Sequence, residues 1–468
     1  MRKNQLVLYL GLFIFLFLLL LPLNPAKTAN QQAELVKNIN TRSALADSDP
    51  SSLINLNGIL YFAAADDIHG TELWKSDGTE TGTVMVRDIR PGTYASSMGG
   101  GLGQIVVMNN TLYFPADDGI NRHALWKSDG TETGTVMVKD PNPGGYSSIQ
   151  GLTVVNNTLY FTAYLYSYGR ELWRSDGTEA GTYMVKDIYP GANSGIWDLT
   201  NVDGTLYFGA EDGAHGGELW KSDGTEVGTT LVKDVFGELN PHELTNLNGT
   251  LFFASDYALW KSDGTANGTV MVKDFNPDNI SGGDRITSMT SINNSLLMRV
   301  GVIGEPGDLW ISDGTINGTI LIRENVGAIL SYEWANPNVI INDTLFFSAV
   351  NGTPVSELWK SDGTVTGTVM VAEVGSSWFA NVDGTLYFAG NDETHGGELW
   401  KSDGTAAGTV IVADIRPGEN HSSPRFLTEV NGSLFFSADD HIYGRELWKL
   451  AMNLNTSNQN VYLPVILK

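Results

Sequence analysis

The 468-residue chain has no cysteine. Disulfides and thiol chemistry are therefore excluded, and cysteine usage says nothing about compartment, since a large repeat fold needs no such staples. Positive charge is also scarce: 28 Lys and Arg stand against 53 Asp and Glu, a formal net charge of -25. Cleavage after residue 29 removes Arg2, Lys3 and Lys27 and no acid, and leaves -28. Such an excess argues against nucleic acid or an anionic membrane surface as partner. It leaves room for cations or basic partners, although acids that simply solvate loops are the plainer reading.

Catalytic signatures are missing too. There is no His-Glu-x-x-His, no Gly-x-Ser-x-Gly and no phosphate loop. The glycine patch 99–103 lacks a strand-to-helix setting, and the seven histidines show no metal-ligand spacing. Helix signals are poor. Past the N-terminal segment, no stretch is long and apolar enough to cross a membrane as a helix.

What the chain has is a repeat. Glu171–Asp187, ELWRSDGTEAGTYMVKD, recurs from Glu72, Ala124, Glu218, Ala258, Asp308, Glu357 and Glu398, with a shortened copy from Glu446. It reads as a hairpin around Ser175-Asp176-Gly177-Thr178, whose glycine supplies positive φ and whose polar side chains bond the turn backbone. Upstream of each copy lies another hairpin, for example Leu199–Val202, Asp203-Gly204, Thr205–Phe208. The Leu-Trp tryptophans, Trp74, Trp126, Trp173, Trp220, Trp260, Trp310, Trp359, Trp400 and Trp448, are spaced 40 to 52 residues apart. That is the length of a four-stranded propeller blade. Strands apolar on consecutive residues fit sheets covered on both faces.

The ends indicate closure. The ninth unit stops at Leu450 after three strands, and the missing fourth is present at Leu35–Ile39. The sequence predicts an all-β fold, a single closed β-propeller over 34–450. It has nine four-stranded blades by count, with strand 35–39 pairing to the C-terminal blade. An eight-bladed ring with one unit displaced and two smaller rings are the alternatives, the latter disfavoured because no linker interrupts the units. Residues 1–29 read as a signal peptide or an uncleaved N-terminal anchor, 30–33 as linker, and 451–468 as a polar connector with a short apolar tail.

The motif Glu-Leu-Trp-x-x-Asp-Gly-Thr resembles the bacterial ELWxxDGT repeat family of predicted secreted or cell-surface proteins. Five copies match in full, and Ala124, Ala258 and Asp308 replace the leading Glu in three others. The resemblance implies a repeat and an extracytoplasmic setting, and no activity. The turn also resembles the Asp-box hairpins of sialidase-like propellers, with altered spacing, which implies a structural role.

In a propeller the uniform turns share one face and the variable loops the other, so the variable face is the expected recognition face. Its acidic loops offer Asp66, Asp67, Asp212, Asp392, Asp439 and Asp440 as candidate calcium ligands, without the spacing of an EF-hand. The plainer reading is that they shape the loops, and no cofactor is required. The repeat tryptophans read as core between blades. Trp197, Trp334 and Trp378, in or near inter-blade loops, are the candidates for ligand binding. The lysines after Trp, such as Lys75, Lys221 and Lys401, are expected to pair with Glu72, Glu218 and Glu398. The functional expectation is an exported, non-enzymatic propeller that binds an extracellular protein or polysaccharide at the cell surface. The alternatives are a secreted polysaccharide hydrolase or lyase working in the central funnel, and a structural spacer.

Overall fold

Asn-Gly and Asp-Gly pairs place left-handed backbone where the chain must reverse: Asp203 has φ +47° and Gly204 +84°. Glycine meets that requirement without a steric cost, so tight hairpins form between the apolar runs. A computed structural model describes residues 32–452, apart from 44, 93–103, 235–239, 256, 279–282, 303–306, 330–337 and 352–355. The signal-like segment, the glycine patch, Trp334 and the apolar tail lie outside the described residues. The described strands form nine antiparallel sheets, and no helix occurs among the described residues. Nine blades are thus present, not eight.

The first blade is typical: Ser51–Leu56, Ile59–Asp66, Gly70–Ser76 and Val84–Arg87, in that order from the inside outwards. The innermost strands of successive blades touch one another around the axis. The seventh blade has five strands, because Gly327–Ile329 and Asn338–Ile341 both pair with Thr344–Val350. Closure follows the predicted logic with a shifted boundary. Ala33–Lys37, and not 35–39, pairs with Arg445–Ala451, with Ala33 opposite Leu450 and Leu35 opposite Trp448.

Burial is two-sided as the consecutive apolar residues require: Leu60, Tyr61 and Phe62 are all buried. Trp126 of the second blade packs with Tyr61, Leu73 and Val86 of the first. A cation from the preceding blade covers several of these indoles, as Arg87 does Trp126 and Lys186 does Trp220.

The lysines after Trp correct the sequence reading. Lys75 donates to Gly130 O at 2.9 Å and Lys221 to Gly264 O at 2.7 Å, each the turn carbonyl of the next blade. Residues three apart in a strand face opposite sides, so Glu72 is out of reach of Lys75. The same link joins Lys127 to Gly177 and Lys449 to Gly78, the latter from the last blade back to the first.

The turn itself is held by its own side chains. Thr178 donates its N–H and Oγ1 hydroxyl to Asp176 Oδ1, at 2.8 and 2.7 Å, and Gly177 N–H donates to Ser175 Oγ at 3.0 Å. Gly177 has φ +89°, and a Cβ there would collide with the Tyr113 hydroxyl of the preceding blade. Replacing Gly177 with Val therefore imposes both backbone strain and overpacking, an expected loss of roughly 2–4 kcal/mol. Urea unfolding checks this; an unchanged midpoint would show that the glycine is dispensable.

Candidate functional site

The leading glutamate of the repeat clamps the connection to the next blade in several blades. Glu72 accepts the N–H groups of Ile89 and Arg90, at 2.9 and 3.1 Å. Glu398 accepts those of Ile415, Arg416 and Ser422, and the Ser422 hydroxyl. Glu446 accepts Ile39 N–H, Asn40 N–H and the Ser48 hydroxyl, and so ties the N-terminal segment to the last blade. Burial nevertheless pushes Glu171 and Glu446 up to about 7, and raises Glu398, against these donors.

The seventh blade breaks the pattern. Only Glu373 and Val374 separate Val369–Ala372 from Gly375–Val382. Ten residues intervene between Lys186 and Trp197, and eleven between Ala413 and Arg425. With no long connection to clamp it, Glu357 turns to its own repeat tryptophan: Trp359 Nε1 donates to Glu357 Oε2 at 3.0 Å. Among the described residues, the corresponding buried indole N–H of Trp74, Trp126, Trp173, Trp220, Trp400 and Trp448 has no acceptor.

A cleft of about 1010 Å³ opens at this place, lined by Ser356, Glu357, Glu373, Asn391, Asp392, Glu393, Glu419 and His421. These residues come from the start of a third strand, from the end of the second strand of the eighth blade and the loop after it, and from two blade connections. All belong to the variable face. Five of the eight are carboxylates and none is Lys or Arg. Glu357 is 7% exposed, whereas Glu373, Glu393 and Glu419 stand in solvent. Gly397 N–H donates to His421 Nδ1 at 2.7 Å, which leaves Nε2 to carry the proton of the neutral ring. Sequence reasoning missed Glu357 and His421, because the signal is a connection that is absent.

The candidate calcium ligands do not converge. Asp66, Asp212 and Asp392 each accept two loop N–H groups and the Nδ1 of a histidine three residues on. Asp439 accepts His441 N–H, and Asp440 accepts Ile442 and Tyr443 N–H. Asp67 is exposed. Among the described residues no three His, Asp or Glu gather as metal ligands.

Trp197 and Trp378 lie on innermost strands and not in loops. Trp197 is half-buried and donates its Nε1–H to Pro241 O. Trp378 sits in a bulge that recurs five residues before six of the inner hairpin turns. Ser52, Gly151, Asp198, Glu243, Trp378 and Phe426 occupy it, with φ between +53° and +66°. Left-handed backbone costs a non-glycine residue about 1–2 kcal/mol. Asp198 and Glu243 offset that cost by accepting Glu243 N–H and Met289 N–H of the next blade, at 2.9 and 3.1 Å. Trp378 and Phe426 instead pack against each other, ring centroids 4.5 Å apart and the planes tilted by 51°.

No family description and no characterised protein matches the sequence. Solved structures do. The S511A mutant of a puromycin hydrolase is 14% identical, with a TM-score of 0.40 over 76% of this chain and 60% of that one. One from a study of two prolyl endopeptidases is 11% identical, with a TM-score of 0.42 over 65% and 50%. A puromycin-hydrolyzing peptidase of Mycobacterium tuberculosis is 9% identical, with a TM-score of 0.41 over 78% and 62%. The chain thus spans between half and about three-fifths of their length, and the likeness assigns it no activity. The expectation of a non-enzymatic binding propeller is nonetheless corrected. It rested on a signal-like start, a closed ring and missing motifs, none of which separates binding from catalysis, and the similar solved structures are of a hydrolase and of peptidases.

The buried glutamates set a pH dependence. A carboxyl near 7 when folded and near its ordinary 4.5 when unfolded binds more protons in the folded state between those values. Their effect on stability therefore grows as pH falls from about 7 toward about 4.5. The turn aspartates, including Asp77, Asp176 and Asp403, act oppositely. Threonine hydrogen bonds hold them below 3.8, so their contribution is lost as pH falls below that value. The melting temperature is expected to peak between about pH 4.5 and 6. A scan from pH 3 to 9 checks it, and Glu446→Gln should flatten the limb above pH 5.

Proposed function

We propose that the chain is a peptide-handling propeller whose acidic cleft takes a positively charged substrate group, the amine or guanidinium of a basic peptide. The observation that carries this reading is Glu357. It is the repeat's structural acid, freed of its usual loop and left at the wall of a cleft with four more carboxylates and no lysine or arginine. Carboxylates spread around a cleft, and not gathered at a point, suit an extended cation better than a metal ion. The volume accommodates a few residues of peptide, within the usual range of ligand pockets. The signal-like residues 1–29 are the ground for placing the encounter outside the cytoplasm.

Titration of the purified protein with an arginine- or lysine-containing peptide tests this, with product analysis of the same mixtures to read turnover. Binding should weaken as salt rises from about 0.1 to about 1 M, because the screening length falls from about 10 to about 3 Å. Glu357→Gln should cost roughly tenfold in affinity, the scale of one charged hydrogen bond. Equal affinity for the peptide with its lysine acetylated would falsify the proposal.

A further inference from the structure

Among the described residues, glycine holds the left-handed bulge position in one blade, at Gly151, where it fits without strain. Elsewhere a side chain is kept there. Asp198 and Glu243 explain themselves by the backbone hydrogen bonds they accept from the next blade. Trp378 and Phe426 have no side-chain acceptor to offer. They are two large aromatics in a backbone region that bulky residues rarely adopt, on adjacent innermost strands. Their rings meet at 4.5 Å with an interplanar angle of 51°, and both remain half-buried.

These two strands also descend from the acidic cleft. Glu373 lies five residues before Trp378, and Gly375 pairs with the cleft residue Asn391. His421 lies five residues before Phe426, and Ser422 accepts Asp439 N–H at the same end of the ninth blade. From Gly375 to Trp378 is three residues and from Ser422 to Phe426 four, so at about 3.3 Å per residue the aromatic pair stands roughly 10–13 Å along the chain from the cleft end of these blades.

We propose that the cleft and the Trp378–Phe426 pair are two ends of one site. The site takes a peptide with a basic residue and an aromatic residue about three or four positions apart, the spacing that an extended chain needs to span it. The inference rests on the proposed function, since the cleft supplies the basic end. Aromatic rings stack or meet edge to face with a neighbouring ring, so the pair adds preference for an aromatic side chain over an aliphatic one.

Two peptides distinguish the two readings. One carries arginine and phenylalanine four positions apart; the other has alanine for the phenylalanine. Calorimetry on the purified wild-type protein should find the phenylalanine peptide bound about tenfold more tightly. In Trp378→Gly, which keeps a residue suited to φ +55°, and in Phe426→Ala, the two peptides should bind equally, with the alanine peptide unchanged. If wild type binds both peptides alike, this inference fails and the proposed function stands. If neither binds, both fail. If Trp378→Gly weakens both peptides to the same degree, the ring only shapes the cleft, and the inference is overturned.

Discussion

A cation that reaches from one blade into the turn of the next is the contact on which the ring depends. Lys75, Lys127, Arg174, Lys221, Lys261, Lys360 and Lys449 each donate to the carbonyl of a turn glycine one blade on. The glycine matters twice. Its positive φ shapes the turn, and its missing Cβ lets a ring from the preceding blade approach, as Tyr61 does at Gly130 and Tyr160 at Gly224. A half-buried hydrogen bond from a charged donor is worth on the order of 1.5–3 kcal/mol, comparable to burying a large apolar side chain. The motif is thus an inter-blade coupling before it is anything else. The Lys449–Gly78 link extends it across the join between the two ends of the chain.

Against so regular a frame, departures stand out. The shortened connection after the seventh blade removes the donors that clamp the repeat's glutamate elsewhere, and the carboxylate of Glu357 is redirected to an indole N–H at the edge of an open cleft. The inner-strand bulge is the second departure. Its backbone repeats while its side chain varies, from a polar hook at Asp198 to an aromatic pair at Trp378 and Phe426. Both departures meet at the seventh to ninth blades, which gives a ring of similar parts one distinct side.

Architecture was legible because it is written in periodic features. The tryptophan spacing, the Asp-Gly turns and the orphan strand near residue 35 each led to the observed nine-bladed, closed ring. The partners of Lys75 and Lys221 were not legible, since proximity in sequence suggested Glu72 and Glu218 while strand alternation sent them to opposite faces. The loop acids were read as candidate ligands, yet Asp66, Asp212 and Asp392 are engaged by their own loop N–H groups and histidines. The cleft left almost no trace, because nothing in a residue's identity marks the absence of a connecting loop. Trp378 was picked out for lying outside the repeat, but its pairing with Phe426, 48 positions away, exists only through the register of two neighbouring sheets.

The strand at Ala33–Lys37 has a consequence for the order of assembly. Its partner, Arg445–Ala451, is made some four hundred residues later. At about 5–20 residues per second, roughly 20–80 s pass between the two. Earlier blades can form and stack as they emerge, while that first strand waits without its sheet. Glu34 and Lys37 place a charge of each sign on it, a familiar protection against pairing with a stranger. The last event of folding is then the arrival of Leu447 and Trp448 opposite residues made more than four hundred peptide bonds earlier. A chain that stops short of Arg445 has eight blades and a gap where its own beginning should dock.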